Sequence, residues 1–353
     1  MKKYGILFFC CALVCLCGGC RSAPALKERL IVRCVGVDRL EKGYRLSVDG
    51  FQVKGVESGE ENAGESMILQ AEGETLTTAV ENLRKSTGKS LFFSHNQAIV
   101  LGEDTAKEGT EEIFRFFNGN YQSSPDVPVF VAQGTAEKMI AAEGLYPLLE
   151  GDPFAPAVYQ LGETFLRPST GVCLPVLRWE EENPVLLGFG MGKEGRLVKE
   201  LSPEEELGYR TVRGRLDSLY LEEIPAEVRF SASETVIRYK KNEPAPTLSL
   251  RVNLRGEIID EISGWGAVMG EETFRDVTEQ CEQTLTRAVE AVLEGSAREF
   301  GTDLFALFAQ FEEGIAQFSS MSAVEQEAIL RNCRFEVTVA VVLRSKTAAL
   351  GED

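Results

Sequence analysis

The sequence is short of the side chains on which most protein-only catalysis depends. It has one histidine, His95, in 353 residues. A Ser-His-Asp or Cys-His relay would have to run through it, and there is no GxSxG elbow and no HExxH helix. A lone histidine beside Asn96, just ahead of an apolar stretch, reads as a structural residue. Of nine cysteines, five lie at or before Cys20. The other four, Cys34, Cys173, Cys281 and Cys333, are far apart, so no CxxC pair of metal ligands exists. Their apolar neighbours (Val32 and Val35, Val172 and Leu174) suit buried free thiols, although four cysteines leave three disulfide connectivities open. Positive charge is scarce as well. The net charge is −18, from 37 Lys and Arg against 55 Asp and Glu. That excludes nucleic-acid binding, which rests on neutralising phosphates. Apolar runs of membrane-spanning length are absent too. The one candidate, at the start, falls short of the roughly 20 residues that a spanning helix needs.

That first run is nevertheless informative. Lys2 and Lys3 precede Tyr4–Cys17, which reads YGILFFCCALVCLC, and Gly18-Gly19-Cys20 follows. A positive start, a short apolar core and small residues before a cut site make a secretory signal peptide. Two glycines directly before a cysteine look like a bacterial lipobox, in which the thiol is acylated and the chain is cut just before it. The third residue before the cysteine is Cys17 where that motif usually has Leu. Ordinary cleavage and an uncut anchor are the alternatives. The expectation is a signal peptide over 1–19 and a lipidated Cys20. A diacylglyceryl thioether supplies two acyl chains, enough for stable anchoring. Removing residues 1–19 takes two lysines and no acid, so the rest of the chain is still more acidic. From Arg21 to Arg45, however, seven basic residues face three acids, and basic residues near an anchor are drawn to anionic headgroups.

Beyond Cys20 the pattern alternates strands and helices. Leu30–Asp38 and Tyr44–Val48 predict a hairpin around Gly43, followed by a solvated loop over Lys54–Ser66 and a strand over Met67–Glu72. Thr75 caps a helix that Gly88 ends. A strand centred on Ala98–Leu101, one helix over Asp104–Phe117, a strand over Val127–Gln133 and a short helix capped by Thr135 come next. Three prolines and two glycines make Leu145–Arg167 an irregular crossing segment. Short strands are expected at Leu174–Trp179, Val185–Phe189 and Arg196–Lys199. Ser202-Pro203-Glu204-Glu205 opens a helix. Strands over Val228–Tyr239 and Leu248–Ile259, a long helix over Glu271–Phe300, a helix over Asp303–Phe311 and an apolar strand at Phe335–Leu343 complete the chain. The last is apolar enough to predict a central position. This order means mixed sheets covered by helices, an α+β class.

Several motifs have simpler explanations than the chemistry they suggest. Ser86-Thr87-Gly88-Lys89-Ser90 ends like a phosphate-binding loop, but Leu83 stands where that loop needs its first glycine. Gly190-Met-Gly192-Lys-Glu-Gly195 fits GxGxxG, yet a strand rather than a helix follows, so it reads as a hairpin turn. The runs Glu180–Glu182, Glu204–Glu206 and Glu222-Glu223 read as solvated surface. No convergent catalytic set, cofactor site or metal site is expected.

An ordered set of segments resembles the Ger(x)C family, the lipoprotein C subunit of spore germinant receptors. Leu30–Asp38, ending Gly36-Val37-Asp38, is similar to that family's opening strand. Ser94–Glu103 with Ala106 and Gly109 is similar to its "H..viiige..A..G" segment. Phe189, Leu197-Val198, Leu201, Glu205-Glu206 and Gly208 resemble its "F....lvg.l...E..G" stretch. Leu248–Ile262, the long helix and the final strand match its C-terminal region in order. Arg21-Ser22 stands where the family often has Trp-Asp. The resemblance implies an elongated three-domain α+β fold, with an N-terminal domain over 20–182 and a C-terminal region over 183–353 that divides near 222. It also implies a non-enzymatic lipoprotein. Its partners would be the multi-pass A and B subunits of the receptor, and its place the outer face of the spore inner membrane. The competing expectation is an extracytoplasmic solute-binding lipoprotein that captures a small nutrient between domains.

Overall fold

The computed structural model describes residues 29–52, 66–119, 123–150, 154–167, 169–221, 223–224, 226–241, 243–259 and 270–345. The expected signal peptide, Cys20 and most of the expected loop over Lys54–Ser66 lie outside them.

The chain enters through a hairpin. β1 (Arg29–Arg39) and β2 (Tyr44–Phe51) pair antiparallel, with Gly43 at φ +87° in the turn. β3 (Ser66–Gly73) adds to β2. α1 (Leu76–Thr87) begins at Thr75, whose Oγ1 accepts the Thr78 N–H at 3.1 Å, and ends on Gly88 at φ +68°. It forms the crossover that parallel pairing requires: β4 (Ser90–Phe92) and β5 (Ala98–Gly102) both run parallel to β1. A 3₁₀ turn at Phe93–His95 separates the two strands.

The single helix expected over 104–117 is two, α2 (Glu103–Glu108) and α3 (Glu111–Gly119). Gly109 at φ +138° ends the first. Thr110 then donates both its N–H and its hydroxyl to the Gly195 carbonyl, each at 2.9 Å. β6 (Val129–Ala132) and α4 (Ala136–Ile140) follow. The segment expected to be irregular holds two helices, α5 (Leu145–Leu149) and α6 (Val158–Leu166). Its prolines do not prevent this. Pro147 falls in the first turn of α5, where a missing N–H costs nothing, and Pro156 precedes α6. β7 (Gly171–Glu180), β8 (Asn183–Lys193) and β9 (Arg196–Glu200) complete a nine-stranded mixed sheet of order β3-β2-β1-β5-β6-β7-β8-β9, with β4 beside β1. The division expected at 182/183 falls in the turn from β7 to β8, within this sheet.

Side chains alternate across the central strands. Ile99 and Leu101, with Val129 and Val131, bury against α1, α3 and α6 on one face; Ala98 and Val100, with Phe130 and Ala132, bury against α4 and α5 on the other. Burial on both faces explains why these strands read as continuous apolar runs.

α7 (Pro203–Val212) leads to a second sheet, β10 (Ser218–Leu221), β11 (Ala226–Tyr239), β12 (Thr247–Ile259) and β13 (Arg334–Ser345), in that spatial order. α8 (Glu271–Leu293) packs on it and continues as a π-helical segment, Glu294–Glu299. α9 (Leu307–Gly314) and α10 (Ala323–Asn332) lead from it to β13. β13 is an edge strand, not a central one; it runs parallel to β12 alone. Its apolar residues reflect cover by α8 rather than two flanking strands. The α8 side chain Glu282 also takes the Val341 N–H at 2.9 Å, which blunts an edge that would otherwise present free donors.

Candidate functional site

The residues singled out in sequence do not converge. His95 is exposed, with its ring 6.0 Å from that of Phe92. Gly88 caps a helix end, and its N–H donates to the Arg84 carbonyl at 2.9 Å. Glu194 and Gly195, at φ +51° and +70°, form the tight turn between β8 and β9. Both motifs therefore serve the backbone. The four cysteines are free and buried, and burial pushes each thiol up to about 12. Among the described residues no group of three or more His, Cys, Asp or Glu is placed to hold a metal. Glu205 departs from the solvated reading. It is buried, pairs with Lys199 at 2.8 Å, and closes a capping box by accepting the Ser202 N–H at 2.9 Å.

One junction gathers much of the N-terminal pattern. Open α/β sheets bind ligands beyond the carboxyl ends of their parallel strands, here the ends of β1, β5 and β6. In this chain a carboxylate of its own fills that place. Asp38, buried at the end of β1, accepts the first N–H groups of α4 from Ala136 at 2.7 Å and Glu137 at 2.9 Å. Burial raises its pKa, against the lowering effect of those two N–H groups. Gly102 makes room for it, since a Cβ there would collide with Asp38 Oδ1. Gly36 lets α4 approach, with Ala136 Cβ at 3.2 Å from the position of an added Cβ. Glu103 accepts the Gly134 N–H at 3.1 Å, and its own N–H donates to the Gly134 carbonyl at 2.8 Å. Gly36, Asp38, Gly102 and Glu103 thus build one joint, whose helix N-terminus is already neutralised.

A cavity of about 300 Å³ lies where the two sheets meet. Its inner wall holds Tyr209 of α7 and Cys173 of β7, both buried, whose hydroxyl and thiol interact. Burial raises the Tyr209 pKa, and the adjacent Arg213 opposes the shift. Phe154 packs against Tyr209 with ring centroids 5.9 Å apart. Across the cavity Asp303 accepts the N–H groups of Phe305, Leu307 and Phe308 at 3.0, 2.8 and 2.9 Å. It is the cap that starts α9 at Leu307, later than the helix expected from Asp303. Within this turn Ala306 sits at φ +58°, a left-handed conformation costly for a residue with a Cβ.

Among the described residues no helix is long and apolar enough to cross a membrane. Two family profiles match the chain in succession: the spore germination protein N-terminal domain over residues 23–145, and the spore germination B3/GerAC-like C-terminal family over residues 188–345. A relative in Bacillus subtilis (strain 168), YfkR, whose name assigns it provisionally to spore germination, is 25% identical over 138 residues. That match covers 36% of this chain and 35% of the relative, so the chain spans about a third of its length. The crystal structure of the GerBC protein superposes with a TM-score of 0.59 over 88% of this chain and 96% of that one. At 14% identity the likeness speaks for the fold alone.

Proposed function

The chain belongs to the Ger(x)C family of spore germination proteins, and from that premise we propose that it is the lipid-anchored C subunit of a nutrient germinant receptor. In this reading Cys20 carries the lipid after removal of residues 1–19. The anchor holds an acidic body against the outer face of the spore inner membrane. The partners there are the multi-pass A and B subunits, and the role is assembly or signalling of the receptor without catalysis. An elongated three-domain arrangement belongs to the same reading. The observation that carries it is the succession of both family segments along one chain. The lipobox-like Gly18-Gly19-Cys20 and the GerBC-like fold support it.

The test replaces the anchor. In spores, Cys20→Ala should move the protein from the membrane fraction to the soluble fraction and slow nutrient-triggered germination. Membrane retention with normal germination would sink the proposal. Cross-linking in native membranes should also attach the wild-type chain to multi-pass subunits.

The cavity between the sheets favours a second reading, a solute-binding lipoprotein. The two lobes argue against it. One is built on nine strands and the other on four, with different orders, whereas solute-binding proteins usually pair two similar lobes.

A further inference from the structure

The second sheet has one covered face and one open face. On the inner side Leu248, Leu250, Val252 and Leu254 of β12 share a buried cluster with Val277, Leu285 and Val289 of α8. The alternate residues of the same strands point outward and are exposed or half-exposed, and among the described residues no helix lies over them. Strand register places six arginines on this outer face: Arg229 and Arg238 of β11, Arg251 and Arg255 of β12, Arg334 and Arg344 of β13. All six are exposed, and among the described residues none of them forms an ion pair. The acids beside them are Glu227, Glu234, Glu257 and Glu336, and Glu336 is already paired with Lys240. The whole chain has a net charge of −18. Over this one open surface the balance is reversed.

The residue types point to the partner. The surplus is arginine rather than lysine. A guanidinium donates in a fork that matches phosphate oxygens, whereas an ammonium is a strongly hydrated point charge. Apolar groups stand among the charges without cover. Val342, opposite Arg255, is 62% exposed, and Tyr220, opposite Glu227, is 55% exposed. From Ser249 to Glu257 the face is about 26 Å long, and three strand spacings make it about 14 Å wide. The arginines stand on open strands rather than in a cleft, so what they offer is contact with a surface.

We propose that the outer face of the β10–β13 sheet docks on an anionic lipid bilayer, with its arginines on headgroup phosphates and Val342 and Tyr220 at headgroup level. The inference deepens the lipid-anchored reading and rests on it, because the anchor is what brings a bilayer within reach. A sheet twists, so the contact is made by side chains rather than backbone, and the long arginine stems let the guanidinium groups follow the lipid surface. Each basic residue adds about a fivefold gain in partitioning, which makes the contact weak and reversible. The anchor then supplies residence and the face supplies orientation, turning the acidic remainder of the chain away from the anionic surface.

Vesicle flotation tests it, on the chain from residue 20 onward with Cys20→Ala, which keeps every described residue and carries no lipid. At low salt this protein should bind vesicles of phosphatidylcholine with about 30% phosphatidylglycerol, and not vesicles of phosphatidylcholine alone. Binding should be lost at about 0.5 M salt. Arg251→Gln combined with Arg255→Gln should weaken it about 25-fold, from two fivefold losses, with the melting temperature unchanged because neither side chain is paired. Arg115→Gln combined with Arg275→Gln removes the same charge from α3 and α8 and should leave binding within about twofold. Absence of binding to the anionic vesicles at low salt overturns the proposal. Equal binding to both kinds of vesicle, or equal loss in the two double variants, overturns it as well. The receptor reading fails separately, on wild-type chain from spore membranes that carries no lipid at Cys20. Washing those membranes at about 0.5 M salt removes the contribution of the basic face and keeps the two results apart.

Discussion

At the scale of single residues, the joint around Asp38 makes the sharpest claims. A side-chain cap is worth about 0.5–2 kcal/mol, and this one satisfies two N–H groups, one buried and one partly buried. Asp38→Ala should therefore lower the unfolding free energy by about 1–2 kcal/mol in urea titration. Gly102→Ala should cost at least as much, because the added Cβ displaces the same carboxylate. Glu103 adds a pH signature. Its hydrogen bonds to Lys107 and to the Gly134 N–H hold its pKa below the usual carboxylate value. A lowered pKa stabilises the fold fully above the unfolded value, near 4.5, and the effect is lost as pH falls through the folded value. The stability gap between wild type and Glu103→Gln should be present at neutral pH and close in acid; a gap that persists at pH 2 would refute the assignment. None of this was legible in sequence. The caps Thr75 and Ser202 were, because a capping box lies within four residues. Asp38 caps a helix 98 positions away, and no local window contains both partners. Thr135, the residue that looked like the cap of α4, makes no side-chain cap bond.

At the scale of elements, local chemistry was read correctly wherever the deciding contact is local. The entry hairpin, α1, α7, and strands β11 and β12 stand as their patterns imply. Two of the departures share one cause, a tertiary contact that propensity does not see. The Gly195 carbonyl splits α2 from α3 by taking both donors of Thr110. Cover by α8 lets β13 be apolar at an edge. The meaning of the Glu205-x-x-Gly208 spacing also emerges only in three dimensions. Glu205 closes the cap of α7, and one turn on, Gly208 meets the α8 backbone at Ala288, where a Cβ would overlap the carbonyl. Two helices in contact at a glycine must separate to admit a larger residue, and overpacking of this kind costs about 1–3 kcal/mol. Gly208→Val should destabilise by at least that much in thermal or urea unfolding. A second-site Ala288→Gly should not rescue it, because the clash is with backbone. Rescue would mean that the helices are not apposed there.

For the whole molecule the question is what makes two sheets behave as one body. The apolar contact is continuous: Phe189 and Met191 of the first sheet share a cluster with Tyr209, Leu250 and Phe311 of the second unit. A short backbone bridge crosses beside it, where the Gly171 N–H donates to the Asp303 carbonyl at 2.9 Å and the Asp303 N–H to the Ser169 carbonyl at 2.8 Å. The third tie is polar. Lys193, at the end of β8, donates to the Phe300 carbonyl at 2.9 Å and pairs with Glu327 of α10 at 3.0 Å, and Glu327 also accepts the Ser169 hydroxyl at 3.1 Å. Both charged side chains are largely buried, 14% and 21% exposed, so removing one partner strands the other away from water. The seam should therefore be the place where cooperativity breaks first. In the wild type, hydrogen exchange should give the slowest amides of β1, β5 and β6 the same opening free energy as those of β11, β12 and β13. Lys193→Ala should lower the second group's value by about 1–3 kcal/mol and leave the first nearer its original value, uncoupling the two sheets. Lys193→Met combined with Glu327→Gln should restore part of the loss, since the pair is then replaced by groups that need no counter-charge. Equal lowering in both sheets would show instead that the apolar cluster alone couples them, with the ion pair adding only to the common stability.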